Sequence, residues 1–183
     1  MSDFGTAFEH ERAGEYRQAA AYYATAGFKK LVEEEFEPTR RSRIGAAIIL
    51  RSISCDVRAD VDNRPLGLKG LVEYLARSVQ DETDDEVLSA LMDEWIGDLY
   101  VMLDEPEAAR SHYRSAREVY EHVRESEKWI SKFTGWGSEE EFDYAYYAFV
   151  KFITAHDYEW DRDYNYEFVE RIDAKLAFVE QHC

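Results

Sequence analysis

The apolar residues of this chain recur mostly at intervals of three and four positions, which is the spacing of a helix with one buried face. No segment shows the sustained alternation of apolar and polar positions that a half-buried strand needs. The pattern predicts helices joined by short connections, so that neighbours form antiparallel hairpins. The predicted helices are 3–13, 16–36, 39–61, 67–80, 84–103, 105–132, 138–155 and 165–181. The sequence therefore predicts an all-α fold.

Local signals support the predicted helix boundaries. Three pairs have the spacing of a capping box, in which a hydroxyl and a carboxylate satisfy free backbone N–H groups at a helix start: Thr6 and Glu9, Thr83 and Glu86, and Ser138 and Glu141. Each proline lies where the helical pattern pauses: Pro38, Pro65 and Pro106. No linker or low-complexity segment divides the chain, so we expect a single domain over 1–183.

Two segments, about 3–36 and 90–123, share a spaced set of small and aromatic residues. Small residues let two helices approach closely, and tyrosines fill the space beside the contact. In the second segment the set is Gly97, Tyr100, Asp104, Ala109, Tyr113 and Ala116. At identical intervals the first segment has Ala7, His10, Gly14, Ala19, Tyr23 and Ala26. The chain therefore contains two copies of one predicted hairpin.

This spacing resembles the motif of the tetratricopeptide-repeat family. The resemblance implies a right-handed superhelix of about eight helices in four stacked hairpins, which binds a protein or peptide in the groove lined by the first helices. The matching groove positions are Phe4, Phe8, Glu94 and Asp98. These side chains cannot clamp an anion, so the resemblance implies an apolar, basic or mixed ligand. The rest of the chain departs from the motif, and a compact bundle that reuses the hairpin is the alternative fold.

The charge balance narrows the choice of partner. The chain has 39 acidic and 22 basic residues, and its net charge is −17. Such a field repels phosphate backbones, so we do not expect binding to nucleic acid. An acidic composition with few lysines also resembles that of halophilic proteins, although an ordinary acidic protein has the same balance.

Features of export and membrane insertion are missing from the sequence. No apolar stretch approaches the roughly 20 residues of a membrane helix. The start of the chain does not resemble a signal peptide. Two cysteines, Cys55 and Cys183, are too few for a disulfide framework. We therefore expect a cytoplasmic protein with no membrane partner.

Arginines on the third predicted helix form one candidate site. Arg40, Arg51 and Arg58 lie within about 20° of one another on the helical wheel. Arginine among apolar residues can bind a carboxylate or phosphate through two hydrogen bonds. The alternative is that these arginines pair with acidic residues inside the fold. A second basic row predicts a solvated face or a docking strip for an acidic partner: Arg110, Arg114, Arg117, Arg124 and Lys128.

Aromatic residues of the C-terminal third form a second candidate site. On the seventh predicted helix, Phe149 and Ile153 belong to a core face. Tyr144, Tyr147 and Lys151 lie on the opposite side of this helix. Exposed tyrosine and tryptophan often anchor protein interfaces. The predicted partner-binding residues are Tyr144, Tyr147, Lys151, Trp136 and Trp160. Packing beneath the last hairpin is the alternative.

We find no signature of catalysis, a cofactor or a metal in the sequence. The five histidines lack the spacing of metal ligands. The resemblance to the tetratricopeptide-repeat family then implies a non-catalytic protein–protein interaction module, an adaptor or scaffold that binds another protein or itself. A self-associating structural protein and a sensor or accessory subunit that binds a small anion are the alternatives.

Overall fold

The computed structural model describes residues 2–61, 64–124, 148–154 and 168–182. Within these ranges the regular structure is helical throughout, so the predicted all-α class is confirmed. The helices are α1 Asp3–Arg12, α2 Tyr16–Glu33, α3 Arg40–Arg58, α4 Arg64–Glu82, α5 Glu86–Met102, α6 Pro106–Arg124, α7 at 148–154 and α8 Phe168–His182. None of the described helices is long and apolar enough to cross a membrane.

Two of the predicted helix caps are wrong. The hydroxyl of Ser2 accepts a hydrogen bond from Gly5 N (3.2 Å), so α1 is capped before Thr6. The first helical turn then places Thr6 inside α1, where its hydroxyl donates to the carbonyl oxygen of Ser2. Asp85 caps α5 by accepting bonds from the first backbone N–H groups, because it is the residue with extended backbone before the first turn. The hydroxyl of Thr83 accepts a bond from Asp85 N instead, and the pair 138 and 141 lies outside the described residues.

The helix α4 begins before its predicted start. Its first residue is Arg64, whereas the pattern predicted a start at 67. Pro65 therefore lies in the first turn, where a helix makes no use of the missing N–H.

The helices α2 and α3 pack closely and in opposite directions. Between α2 and α3, the backbones come so close that a Cβ built on Gly27 would lie 2.7 Å from the carbonyl oxygen of Gly45. Further along the same pair, the hydroxyl of Ser52 donates to the carbonyl oxygen of Ala20 (2.7 Å). The second contact lies nearer the start of α2 than the first, and nearer the end of α3. The two helices are therefore antiparallel.

The hairpins α1–α2 and α5–α6 have the same turn. Gly14 and Asp104, at equivalent positions of the two segments, have left-handed φ values of 77° and 57°. The following N–H closes each turn on a carbonyl five residues earlier, with Glu15 to His10 and Glu105 to Tyr100 both at 2.9 Å. This is the bonding of a left-handed helix end. The two segments with matching sequence therefore fold alike, while the superhelical arrangement stays a prediction.

The small residue at the start of the second set makes room for an aromatic ring. A Cβ built on Gly97 in α5 would lie 2.6 Å from Cδ1 of Tyr113 in α6, which is closer than real side chains approach. Both the equivalent residue Ala7 and the tyrosine at the matching place, Tyr23, are fully buried in the first hairpin. Both hairpins therefore bury a small residue and a tyrosine at these positions.

Candidate interaction surface and buried ionic clusters

The predicted arginine stripe contributes two residues to a buried ionic cluster. Arg51 is 5% exposed, and its Nε donates to Oε2 of Glu11 (2.9 Å). The hydroxyl of Tyr23 donates to the same oxygen (2.8 Å). Arg58 lies with Nη1 3.7 Å from the other carboxylate oxygen of Glu11, and its Nη2 contacts the Tyr16 hydroxyl at 2.6 Å. One carboxylate of α1 thus joins α2 and α3.

Arg40 lies apart from this cluster. It is the first residue of α3 and is exposed, three turns away from Arg51. The carboxylate of Glu11 occupies the position between Arg51 and Arg58 that a bound anion would take. This geometry favours internal pairing over a small-anion site at the stripe.

The neighbouring cysteine is a neutral thiol. Cys55 is fully buried beside the cluster. Burial, together with the negative charge of Glu11, raises the pKa of Cys55 to about 12. Since the thiolate is the reactive form, this cysteine is part of the core and not a nucleophile.

A second ionic cluster is buried between α5, α6 and α8. Glu94, Asp98, Arg171 and Lys175 are each at most 2% exposed. Arg171 donates through Nε and Nη2 to the two oxygens of Glu94, at 2.6 and 2.5 Å. Lys175 donates through Nζ to Glu94 (2.7 Å) and to both oxygens of Asp98 (2.6 and 2.8 Å). Two negative and two positive charges thus neutralise one another.

Two tyrosines of α6 complete this cluster. Tyr113 donates to Asp98 (2.7 Å), and Tyr120 donates to Glu94 (3.0 Å). The carboxylates at the groove positions of the second hairpin are therefore covered by α8. This contradicts the expectation that Glu94 and Asp98 face a partner.

The two buried carboxyl groups differ in proton affinity. Burial raises the pKa of Asp98 to about 6; Lys175 opposes this increase and the charge of Glu94 adds to it. Burial also disfavours ionisation of Glu94, but Arg171 and Lys175 outweigh it and lower that pKa to about 2. Asp98 is therefore the group of this cluster that takes up a proton first in mild acid.

The second basic row ties α6 to α8. Arg117 Nε donates to Oδ1 of Asp173 (2.6 Å), and Arg124 Nη1 donates to Oε1 of Glu170 (2.9 Å). These partly exposed pairs each contribute about 0–1 kcal/mol, so they align the helices more than they stabilise them. Of the other members, Arg110 pairs with Glu107, Arg114 is exposed, and Lys128 lies outside the described residues.

Of the five residues of the predicted aromatic site, one lies in the described ranges. Lys151 is exposed on α7, while Phe149 and Ile153 are fully buried on its core face. The remaining predicted residues lie outside the described ranges and stay a prediction: Trp136, Tyr144, Tyr147 and Trp160.

Exposed apolar side chains concentrate on the first hairpin. In the described ranges, the large apolar residues with high exposure are Phe8 (40%), Tyr22 (39%), Phe28 (49%), Val32 (48%) and, on α4, Tyr74 (56%). On α2, the exposed residues Ala21, Thr25, Phe28 and Val32 follow at intervals of four, three and four. At about 100° per residue they lie within about 60° of one another. We call these four residues the α2 strip.

The surroundings of the α2 strip hold its largest member in place. Phe36, in the turn after α2, packs edge-on against the ring of Phe28 with centroids 5.8 Å apart. Lys29 and Arg17 border the strip, and the sequence has no acidic residue from 16 to 32. On a chain with net charge −17, this face is therefore apolar and locally basic.

The apolar spacing of the sequence does not reveal the α2 strip or the covering role of α8. The exposed residues of α2 share their helix with a stronger buried stripe, which dominates the periodicity. A signal for the second cluster was present, since Arg171 and Lys175 lie four residues apart among the apolar residues of α8. Charges at core positions of a helix require buried partners.

The described residues contain no group of three or more His, Cys, Asp or Glu side chains that could hold a metal ion. No family model, curated protein or solved structure matches this chain. The resemblance to tetratricopeptide repeats therefore rests on the residues of the two hairpins.

Proposed function

We propose that this protein is a non-catalytic protein-interaction module whose partner binds the α2 strip. The observation that carries the proposal is the line of exposed side chains on the side of α2 that faces away from the core, three of them apolar and the fourth a threonine whose hydroxyl bonds to its own helix. Phe28 is 49% exposed and its ring is oriented by Phe36, so it can enter a pocket at a small cost in side-chain entropy. Contiguous exposed apolar surface of this kind is typical of interaction sites.

The buried charges support binding rather than chemistry. A general acid or base must reach the proton that it transfers. Glu94 and Asp98 are covered by α8, and Glu11 is held by Arg51 beneath the surface of the first hairpin. Their charged partners pair with them inside the fold and leave these carboxylates no access to a substrate.

Site-specific photo-crosslinking tests the proposal. Benzoyl-phenylalanine replaces Phe28, and the chain is irradiated in an extract of the source organism at its native salt. We expect one discrete protein adduct, which the additional substitution Val32→Asp removes. The matched control places the same residue at position 74, because Tyr74 is 56% exposed but lies on α4.

Two results would contradict the proposal. One is the absence of an adduct at position 28, and the other is the same mixture of adducts at positions 28 and 74. A partner of the predicted aromatic site would instead be found in a pull-down. It would be retained by Val32→Asp and lost by the double variant Tyr144→Ala/Tyr147→Ala.

A further inference from the structure

We infer that the partner on the α2 strip is the α2 helix of a second copy of this chain, packed antiparallel in a symmetric dimer. This inference rests on the proposed function of the strip as a protein-binding surface. It adds the identity of the partner and the register of the contact.

The spacing of the strip is that of a helix–helix seam. Intervals of four, three and four residues are those of the apolar seam in a two-stranded coiled coil. The strip spans three turns of α2, and the buried face of the same helix packs on α1 and α3. The side chains of a second helix repeat with the same period as the strip. A second helix is therefore the occupant that fits it.

The order of side-chain sizes selects the antiparallel direction. Ala21 and Thr25 are small, whereas Phe28 and Val32 are large. In an antiparallel pair, Phe28 faces Thr25 of the second copy, and Val32 faces its Ala21. Large side chains then fill the space beside small ones on both halves of the contact. A parallel pair would place Phe28 against Phe28 and leave a gap between the alanines.

The charges along α2 also complement one another in this register. Arg17, at the start of α2, comes opposite residues 35–37 of the second copy, where Glu35 and Glu37 are exposed. Lys29 comes beside Tyr22 of the second copy, where a cation–π contact can form. The two-fold symmetry of the pair repeats each attraction.

The overall charge of the chain favours this face for self-association. Two copies with net charge −17 repel each other, and the repulsion is weak at a contact whose helical part has no acidic side chain and whose carboxylates, on Glu35 and Glu37, face Arg17. The stretch from 16 to 32 is free of acidic residues. Molar salt shortens the Debye length to about 3 Å and removes most of the remaining repulsion, so the dimer should be tighter there.

The size of the contact predicts a reversible dimer. One helix pair of three turns buries less than the roughly 800 Å² per partner of a standard interface. The monomer and the dimer should therefore exchange, and the dimer fraction should depend on protein concentration.

Sedimentation equilibrium of the purified full chain is the first test. We expect the mass to rise with concentration from 21.4 kDa towards twice that value, and more readily in molar KCl. Phe28→Asp should remain monomeric, because it places a carboxylate in the seam of each copy. The control Tyr74→Asp should associate like the wild type, and far-ultraviolet circular dichroism should show that both variants are folded.

Cysteine crosslinking tests the register. Ala21→Cys and Val32→Cys are made separately in a Cys183→Ser background, in which the remaining Cys55 is buried. Under mild oxidation, a mixture of the two variants should give a reducible dimer, while each variant alone should not. Crosslinking of each variant alone, in the absence of the other, indicates a parallel pair and overturns the inference.

The outcomes separate this inference from the proposed function. A chain that is monomeric at all concentrations and salts, yet gives a discrete adduct with another protein at position 28, overturns self-association and keeps the interaction module. A dimer that persists in Phe28→Asp also overturns the inference. A monomer without an adduct at position 28 overturns both.

Discussion

Asp98 and Glu94 lie one turn apart on α5 and are both buried, but their surroundings differ. Glu94 accepts hydrogen bonds from a guanidinium, an ammonium and a phenol, whereas Asp98 shares the ammonium of Lys175 and receives the hydroxyl of Tyr113. The stronger positive surroundings keep Glu94 ionised. The burial of Asp98 is compensated less completely, and this makes its ionised form costly.

The wild type and the variant Asp98→Asn should differ in how their free energy of unfolding depends on pH. The pKa of Asp98 is raised from 3.8 to about 6, so between these values the folded state binds a proton that the unfolded state releases. The contribution of Asp98 to stability is therefore present below about pH 4 and is lost as the pH rises to about 6. Relative to Asp98→Asn, the wild type should lose up to about 3 kcal/mol over this range.

Urea unfolding of both proteins at steps of pH checks this prediction. The difference between their free energies of unfolding removes the contribution of the other carboxylates. Two curves that stay parallel from pH 4 to pH 6 would show that Asp98 keeps an ordinary pKa in the folded protein.

At the scale of helices, α8 is held against α5 by charges that the core cannot leave unpaired. In the variant Arg171→Met, Glu94 keeps Lys175 but loses both guanidinium hydrogen bonds in a buried site. We expect a loss of about 3–5 kcal/mol in the free energy of unfolding. The double variant Glu94→Gln/Arg171→Met should recover most of this loss, because it removes both members of the pair.

Chemical denaturation of the two variants, with helical content as the folding control, measures the difference. Equal stability of the single and the double variant would mean that Glu94 does not depend on Arg171. In that case α8 would be held by its apolar contacts alone.

The helices themselves were largely predictable, because their apolar spacing is a local property of the sequence. The predicted range 3–13 compares with Asp3–Arg12, and 84–103 compares with Glu86–Met102. The neighbours that pack against each helix could not be predicted from this local spacing. The pairing of Glu94 with Arg171 joins positions 77 residues apart, and a local pattern carries no information about such a pairing.

The candidate sites show the same limit. The angle between Arg51 and Arg58 on the helical wheel was predicted, but the carboxylate that joins them comes from another helix. The outer face of α2 cannot be identified from apolar spacing, because the exposure of Phe28 depends on which helices pack beside it.

For the whole molecule, the excess of acidic residues sets the response to salt. Asp81 and Glu82 are exposed at the end of α4, where the helix dipole already disfavours negative charge. The variant Asp81→Asn/Glu82→Gln should be more stable than the wild type by about 0.5–2 kcal/mol at low KCl concentration. In molar KCl this gain should disappear, because salt screens the repulsion that the substitutions relieve.

Thermal unfolding midpoints over a KCl series test this prediction, with glycerol as an uncharged cosolvent control. The wild-type midpoint should rise more steeply with KCl than that of the variant. Identical slopes would assign the effect of salt to general exclusion of the solute from the protein surface.

The contact between Gly27 and Gly45 makes two distant positions behave as a single site in evolution. The backbone of each glycine lies where the other residue would carry a side chain. The close packing of α2 on α3 therefore requires that neither position has a Cβ atom. A methyl group at either position separates the helices, and no further substitution at the other position can restore the contact. The α2–α3 pair can therefore diversify on its outer surface, including the α2 strip, while these two positions of its inner surface have almost no freedom to change.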